Sequence, residues 1–386
     1  MSAGSSFDVL FDRRRVCVVA GPGGVGKTTI AAALAIQAAR GGARAAVLTI
    51  DPARRLADAL GLREIGGSPR RVSPSELARA GLDCGAGELW AMTLDPKETF
   101  DRTVERHAPD EAASRRILAN PIYDRISVAL AGSQEYMAIE ALHELVEGGE
   151  FDLVVLDTPP SQQASDFLAA PTRLLDLFQG RAMRAVVRSA GAGGRVAGRG
   201  AAMMFSLLRR ITGVDLLHDL AEFFDAIAGM VDGMSERAAR VRELLADPQT
   251  GFVLVTSPDP EPAAEAIELR RRLDADGLAY AGTVVNRVAA ERFEDPVSLA
   301  AEIAAATPDA ADELGERIVE PLERLAVEAE RHAAAIERLG KELGGPFVIG
   351  PRASPEPVDL DGLRSLIESL DSFDADGPRG GRTQRR

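Results

Sequence analysis

Val19 to Ile30 read VAGPGGVGKTTI, a glycine-rich turn between the apolar run Arg15–Ala20 (RVCVVA) and a helical stretch, Thr28–Arg40, that ends at Gly41 and Gly42. Gly23, Gly24 and Gly26 let backbone N–H groups turn inward around phosphate oxygens, the helix start adds its positive end, and Lys27 supplies a full charge for the β and γ oxygens. The spacing from Gly21 to Thr28, with a strand before it and a helix after it, is that of a phosphate-binding loop. It points to ATP as ligand, held by Gly23, Gly24, Val25, Gly26, Lys27, Thr28 and Thr29, with Mg²⁺ on the Thr28 hydroxyl.

Such a loop needs a buried strand feeding a helix, and the rest of the chain repeats that unit. Ala43–Ile50, Leu89–Leu94, Phe151–Leu156, Phe252–Thr256 and Gly282–Val285 are short, near-continuous apolar runs separated by helical stretches, and Phe347–Ile349 adds one more near the end. Strands apolar on both faces imply a doubly wound, mostly parallel α/β sheet covered on both sides, the fold class of P-loop NTPases. Two blocks break the rhythm with helical periodicity alone. The expected organisation is a core of residues 13–95, 148–173 and 246–371, helical insertions at 96–147 and 174–245, a flexible N-terminus at 1–12 and a disordered tail at 372–386.

Two carboxylates stand at strand ends, where an open α/β sheet presents its ligand crevice. Asp157 closes LVVLD and suits the magnesium side, through a metal-bound water. Asp51 follows LTI, with Pro52 fixing the backbone after it and Arg54 and Arg55 nearby; it is a candidate to orient the attacking water. Lys27, Asp51 and Asp157 are the expected catalytic set.

Taken together, the Gly21–Thr28 loop, Asp51-Pro52-Ala53, the run LDPKETFD from Leu94 to Asp101 and the run DTPP from Asp157 to Pro160 resemble the family of arsenite-pump and tail-anchored-protein targeting ATPases. The resemblance covers nearly the whole chain. It implies a dimeric ATPase, with Lys27 and Thr28 on phosphate and magnesium, Asp51 polarising the hydrolytic water and Asp157 as the second-switch aspartate. It further implies that Asn286, at the end of GTVVN, reads the adenine edge and that Pro351 lies near the adenine-packing loop. The chain departs from the family at Pro22, where the family carries a lysine that reaches the partner subunit's phosphates. Either a homodimer manages without that charge, or Arg54 or Arg55 next to Asp51 supplies a compensating cation, or this chain pairs with a related subunit that keeps the lysine.

Composition narrows the partners. A net charge of −14 excludes a generic nucleic-acid surface, which needs a basic field. Cys17 and Cys84, far apart and without CxxC spacing, supply neither a disulfide framework nor the family's cysteine-held zinc or metalloid, and fit a reducing cytoplasm. No signal-peptide core and no run of 18 uncharged apolar residues is present, so no membrane span is expected. Met183, Met203, Met204, Met230 and Met234 fall in the second helical block; they suit a groove for an apolar client and equally suit packing of helix on helix. Seven arginines without an acid from Arg181 to Gly213 fit acidic headgroups, a charged partner or a solvated face. The functions in view are therefore an ATPase that captures and releases an apolar client or membrane partner, an energising subunit of an anion transporter, and a ParA/MinD-type positioning ATPase.

Overall fold

The computed structural model describes residues 7–51, 53–108, 110–120, 123, 134–158, 231–289, 311–352 and 357–372. Its strands are β1 (Val16–Ala20), β2 (Arg44–Thr49), β3 (Arg70–Arg71), β4 (Glu88–Thr93), β5 (Leu153–Asp157), β6 (Thr250–Thr256), β7 (Tyr280–Val288) and β8 (Phe347–Pro351). The helices are α1 (Lys27–Arg40), α2 (Arg55–Ala59), α3 (Pro74–Arg79), α4 (Pro96–His107), α5 (Glu111–Leu118), α6 (Gln134–Glu147), α7 (Val231–Ala246), α8 (Pro260–Ala275), α9 (Ala311–Leu343) and α10 (Leu360–Ser372).

The eight strands form one sheet in the order β3-β4-β2-β5-β1-β6-β7-β8. β1 pairs in parallel with β5 and β6, β2 with β5, β6 with β7 and β7 with β8, while β3 runs antiparallel to β4. The chain moves from β1 to one side of the sheet, returns through β5, then crosses to the other side. The order reverses beside β1, and the loop after β1 leaves the sheet there, as in other doubly wound folds with a ligand crevice.

Burial follows the pleat. Cys17 and Val19, Ala45 and Val47, Leu153 and Val155, and Val253 and Val255 share one core with the alanine-rich α1 and with α10. Val18, Ala46, Val154 and Leu254, between them in sequence, are equally buried and point to the opposite face. α1 reads KTTIAAALAIQAAR: alanine is the strongest helix former and its short side chain lets the backbone lie close to the sheet. α4 starts where Pro96 follows Asp95, whose carboxylate accepts the Glu98 N–H at 2.9 Å.

Several boundaries differ from the sequence expectation. β7 runs on to Val288, so Asn286 lies within a paired strand and not at its end: Val288 is in register with Pro351 after an irregularity, and Arg287 takes φ 61°. β3 is a two-residue exposed edge strand without apolar alternation, and periodicity passes over it. Pro52, Pro159, Pro160, the arginine-rich stretch and Met183, Met203, Met204 and Met230 lie outside the described residues.

The chain divides into two compact units, one of residues 1–92, 149–164 and 248–386 and the other of residues 93–148 and 165–247. The first holds the sheet from β1 through β8 apart from the last residue of β4. Within the second, the Arg237 guanidinium on α7 bonds the Glu140 carboxylate on α6, both buried, and reaches Glu147 at 3.2 Å. Arg102 and Arg106 of α4 hold Glu144 of α6 at 3.3 and 2.8 Å. Burial pushes the Glu140 carboxyl up, and Arg237 opposes that shift. Removing one partner strands the other, so Arg237→Met should cost about 3 kcal/mol, whereas Arg237→Met with Glu140→Met should recover most of the loss. Urea midpoints of the three proteins measure this; equal midpoints for native and Arg237→Met would sink it.

Candidate functional site

The loop after β1 is shaped by close approach of backbone. Gly21 takes φ 151°, and a Cβ there would meet the Val255 carbonyl oxygen of β6 at 2.0 Å; Gly26 takes φ 95°, and a Cβ there would meet the Asn286 amide nitrogen at 2.5 Å. Neither position accepts a side chain. Gly26 is also the N-cap of α1 and brings no side-chain cap, so the first-turn N–H groups of Lys27, Thr28 and Thr29 meet no capping side chain. Gly23 and Gly24 are exposed, Val25 is buried, and Thr28 and Thr29 are half-buried.

The Lys27 ammonium is buried and donates to the Gly21 carbonyl at 2.9 Å and the Pro22 carbonyl at 2.7 Å. Burial lowers its pKa, while the carboxylates of Asp157, Glu265 and Asp51 act to keep it charged. Pro22 therefore contributes its carbonyl to the lysine, and its ring brings no donor of its own.

β5 delivers Asp157 into the same place, 1% exposed. Its Oδ2 accepts the Thr28 hydroxyl at 2.7 Å and the Thr49 hydroxyl at 2.8 Å, and its Oδ1 is buried with no partner among the described residues. Burial pushes the carboxyl up to about 6, against the two hydroxyl bonds and Lys27, which pull it down. The orphaned Asp157 oxygen and the Thr28 hydroxyl are oxygen ligands of the kind a hydrated Mg²⁺, a hard cation, prefers, and the Lys27 ammonium is a cation that can serve an anion alone.

Asp51 lies just past β2. Its Oδ1 accepts the Ala53 N–H at 2.9 Å, Arg55 stands 3.8 Å from its Oδ2, and Arg54 turns to Glu64 at 3.7 Å. Of the two arginines near Asp51, Arg55 is thus the one beside it. Asn286 sits across the loop and donates through Nδ2 to the Val25 carbonyl at 2.9 Å, so one of its amide protons holds the loop. Pro351 ends β8 alongside the end of β7. The structure brings Lys27, Thr28, Asp51 and Asp157 together past the ends of the neighbouring central strands β1, β2 and β5, with Asn286 inside β7 and Pro351 at the end of β8 on the far side of β6.

Sequence reasoning passed over Thr49. Its signal was local, a hydroxyl at the end of an apolar strand two residues before Asp51, but its partner becomes visible only through the β2–β5 register that sets Thr49 opposite Asp157.

Comparison with known proteins places these residues in context. The model of the family described as anion-transporting ATPases matches residues 14–305. An uncharacterized protein of Streptomyces coelicolor is 31% identical over 72% of this chain and 63% of its own length. ATPase get3 of Schizosaccharomyces pombe is 31% identical over 40% of this chain and 43% of its own length. ATPase ARSA1 of Chlamydomonas reinhardtii is 24% identical over 72% of this chain and 35% of its own length. The chain spans 35% to 63% of the length of these relatives.

The Asp157 carboxyl carries a pH signature. Its ordinary value is 3.8 and in the folded chain about 6, so between those values the folded state holds a proton that the unfolded state has released. The contribution of this group to stability therefore falls as pH rises from 4 to 6 and stays lost above. Asp157→Asn, which does not ionise, should gain on the native chain by about 3 kcal/mol between pH 4 and pH 7. Urea unfolding of both proteins at the two pH values reads the difference; a gap that does not change with pH contradicts the buried, raised carboxyl.

Proposed function

The chain belongs to the anion-transporting ATPase family, and from that premise we propose that it is a Mg²⁺-dependent ATP hydrolase whose nucleotide state governs capture and release of an apolar client or membrane partner. The observation that carries the ATPase part is the Asp157 carboxylate, with Oδ2 taken by Thr28 and Thr49 and a buried Oδ1 left over, one loop away from a buried lysine. The finer part, a client, rests on the resemblance to tail-anchored-protein targeting ATPases carried by the sequence motifs, and the family description favours a second reading, an energising subunit of an anion transporter.

In this proposal Lys27 exchanges the Gly21 and Pro22 carbonyls for β and γ phosphate oxygens, and the first-turn N–H groups of α1 bind the remaining oxygens. Thr28 and the free oxygen of Asp157 would hold Mg²⁺, the latter through water, and the ion supplies charge neutralisation on the phosphates. Asp51 orients the attacking water, with Arg55 3.8 Å away as the nearby cation. Asn286 keeps the loop in place through Val25 and has its second N–H for the adenine edge, with Gly350 beside it on β8 and Pro351 one residue further along.

Pro22 bears on the assembly. The family resemblance implies a dimer in which a lysine at this place serves the opposite subunit's site, where charge builds up during phosphoryl transfer. We propose that this chain pairs either with itself, at a slow rate, or with a related subunit that keeps the lysine.

Among the described residues no helix is long and apolar enough to cross a membrane.

Lys27→Ala should abolish ATP binding, whereas Asp51→Asn should keep ATP and Mg²⁺ bound and slow turnover by about a hundredfold. Phosphate release and nucleotide binding by fluorescence check both, and native turnover in Asp51→Asn removes the water-orienting role. The Asp51→Asn protein held in ATP then separates the readings of function: transmembrane segments recovered with it support the client, an anion transporter supports the energising subunit, and DNA supports positioning.

In the isolated chain Pro22→Lys should raise turnover several-fold if the protein dimerises with itself, and the gain should vanish below the dimer's dissociation constant. A native chain already as fast as Pro22→Lys at every concentration contradicts the missing charge.

A further inference from the structure

Thr49 has no role in the reading above, yet it touches both carboxylate segments. It ends β2, is 1% exposed and lies in register with Asp157 on β5. Its hydroxyl donates its single proton to Asp157 Oδ2 at 2.8 Å and accepts the Asp51 N–H at 3.2 Å. Thr28, from the first turn of α1, sends its own proton to the same Oδ2 at 2.7 Å. Two donors from different elements on one oxygen remove the freedom of the carboxyl to rotate about its Cβ–Cγ bond. They leave Oδ1 as the oxygen without a partner among the described residues.

The position does not call for a hydroxyl on packing grounds. Leu48 and Val47 beside it in β2 are apolar and fully buried, and valine has nearly the shape of threonine. A hydroxyl in such a place is costly unless both its proton and its lone pair are used, and here both are. The geometry points to its use. Resting on the ATPase reading, we propose that Thr49 is a positioning residue that orients Asp157 toward the metal and, through the same hydroxyl, ties that carboxylate to the Asp51 segment. The metal side and the water side of the site are then set by one side chain.

The test compares the native chain with Thr49→Val, which keeps the shape and loses the hydroxyl, and Thr49→Ser, which keeps the hydroxyl. Mn²⁺ is the probe, titrated by electron paramagnetic resonance with a non-hydrolysable ATP analogue bound. Thr49→Val should bind Mn²⁺ about tenfold more weakly, the low end of what losing a partner that orients a metal ligand costs. Its affinity for the analogue without metal should stay native. Its kcat should fall about tenfold, with KM for ATP within about twofold, since the lost interaction acts on the metal and water and not on ground-state nucleotide binding. Thr49→Ser should stand within about threefold of the native protein in every measure, while a second change, Asp51→Asn, should cost less in Thr49→Val than in the native chain.

Should Thr49→Val fail to fold, as a urea melt would reveal, Thr49→Cys keeps the volume with a weaker donor and carries the same comparison. A folded Thr49→Val that binds Mn²⁺ as the native chain does, or a Thr49→Ser that behaves as Thr49→Val does, overturns the inference alone. A native chain that binds neither the analogue nor Mn²⁺ with it overturns the ATPase reading and takes this inference with it.

Discussion

Two threonine hydroxyls meeting on one buried carboxylate oxygen join the helix, strand and strand on which the site is built. Thr28 comes from α1, Thr49 from β2 and Asp157 from β5, and the distances of 2.7 and 2.8 Å are those of full hydrogen bonds. A carboxylate at 1% exposure pays heavily for desolvation unless donors reach it, which is why burial and hydrogen bonding oppose each other at Asp157. The compromise leaves one oxygen satisfied and the other without a partner among the described residues. In the proposed function that asymmetry gives a hydrogen-bond hub an oxygen to offer a cation.

The phosphate loop depends on the same sheet from the other side of β1. Gly21 presses on the Val255 carbonyl of β6, and Gly26 lies under the Asn286 amide of β7, so the loop is clamped by strands far away in sequence. Lys27 folds back on the carbonyls of residues 21 and 22, a state in which its charge is solvated by the loop itself. In the proposed function, phosphate binding would trade one set of oxygens for another and would not move a charge out of water. On the proposed reading, the clamped glycines, the ammonium held on the loop and the orphaned carboxylate oxygen make a site organised before its ligand arrives. The helical unit shows a related economy of charge on its own terms, where Arg237 on α7 meets Glu140 on α6 in a buried pair that links the two helices.

Much of this was legible in the residue string because it is local. The loop spacing, the strand before it and the alanine-rich helix after it are contiguous, and apolar runs of five to seven residues with helical stretches between them announce a parallel sheet wherever they occur. Lys27, Thr28, Asp51 and Asp157 could be nominated from their places at strand and helix ends. What stayed hidden was pairing. Asn286 read as the end of a strand because GTVV stops being apolar there, but the strand continues through a polar arginine at φ 61° until Val288 meets Pro351 on β8.

Thr49 marks the boundary between the two kinds of information. The sequence by itself determined that a hydroxyl stands two residues before Asp51 and that a carboxylate ends another apolar strand more than a hundred residues later. It determined the chemistry available at each point, because side-chain type and local periodicity are properties of neighbouring residues. Only the tertiary structure decided that β2 and β5 lie side by side in a register that sets Thr49 opposite Asp157, and that β6 and β7 supply the carbonyl and the amide against which the glycines close. Strand order is chosen by the burial of whole helices and sheet faces, a sum over the core that no short stretch encodes, and a register shift of one residue would have turned every one of these side chains to the other face.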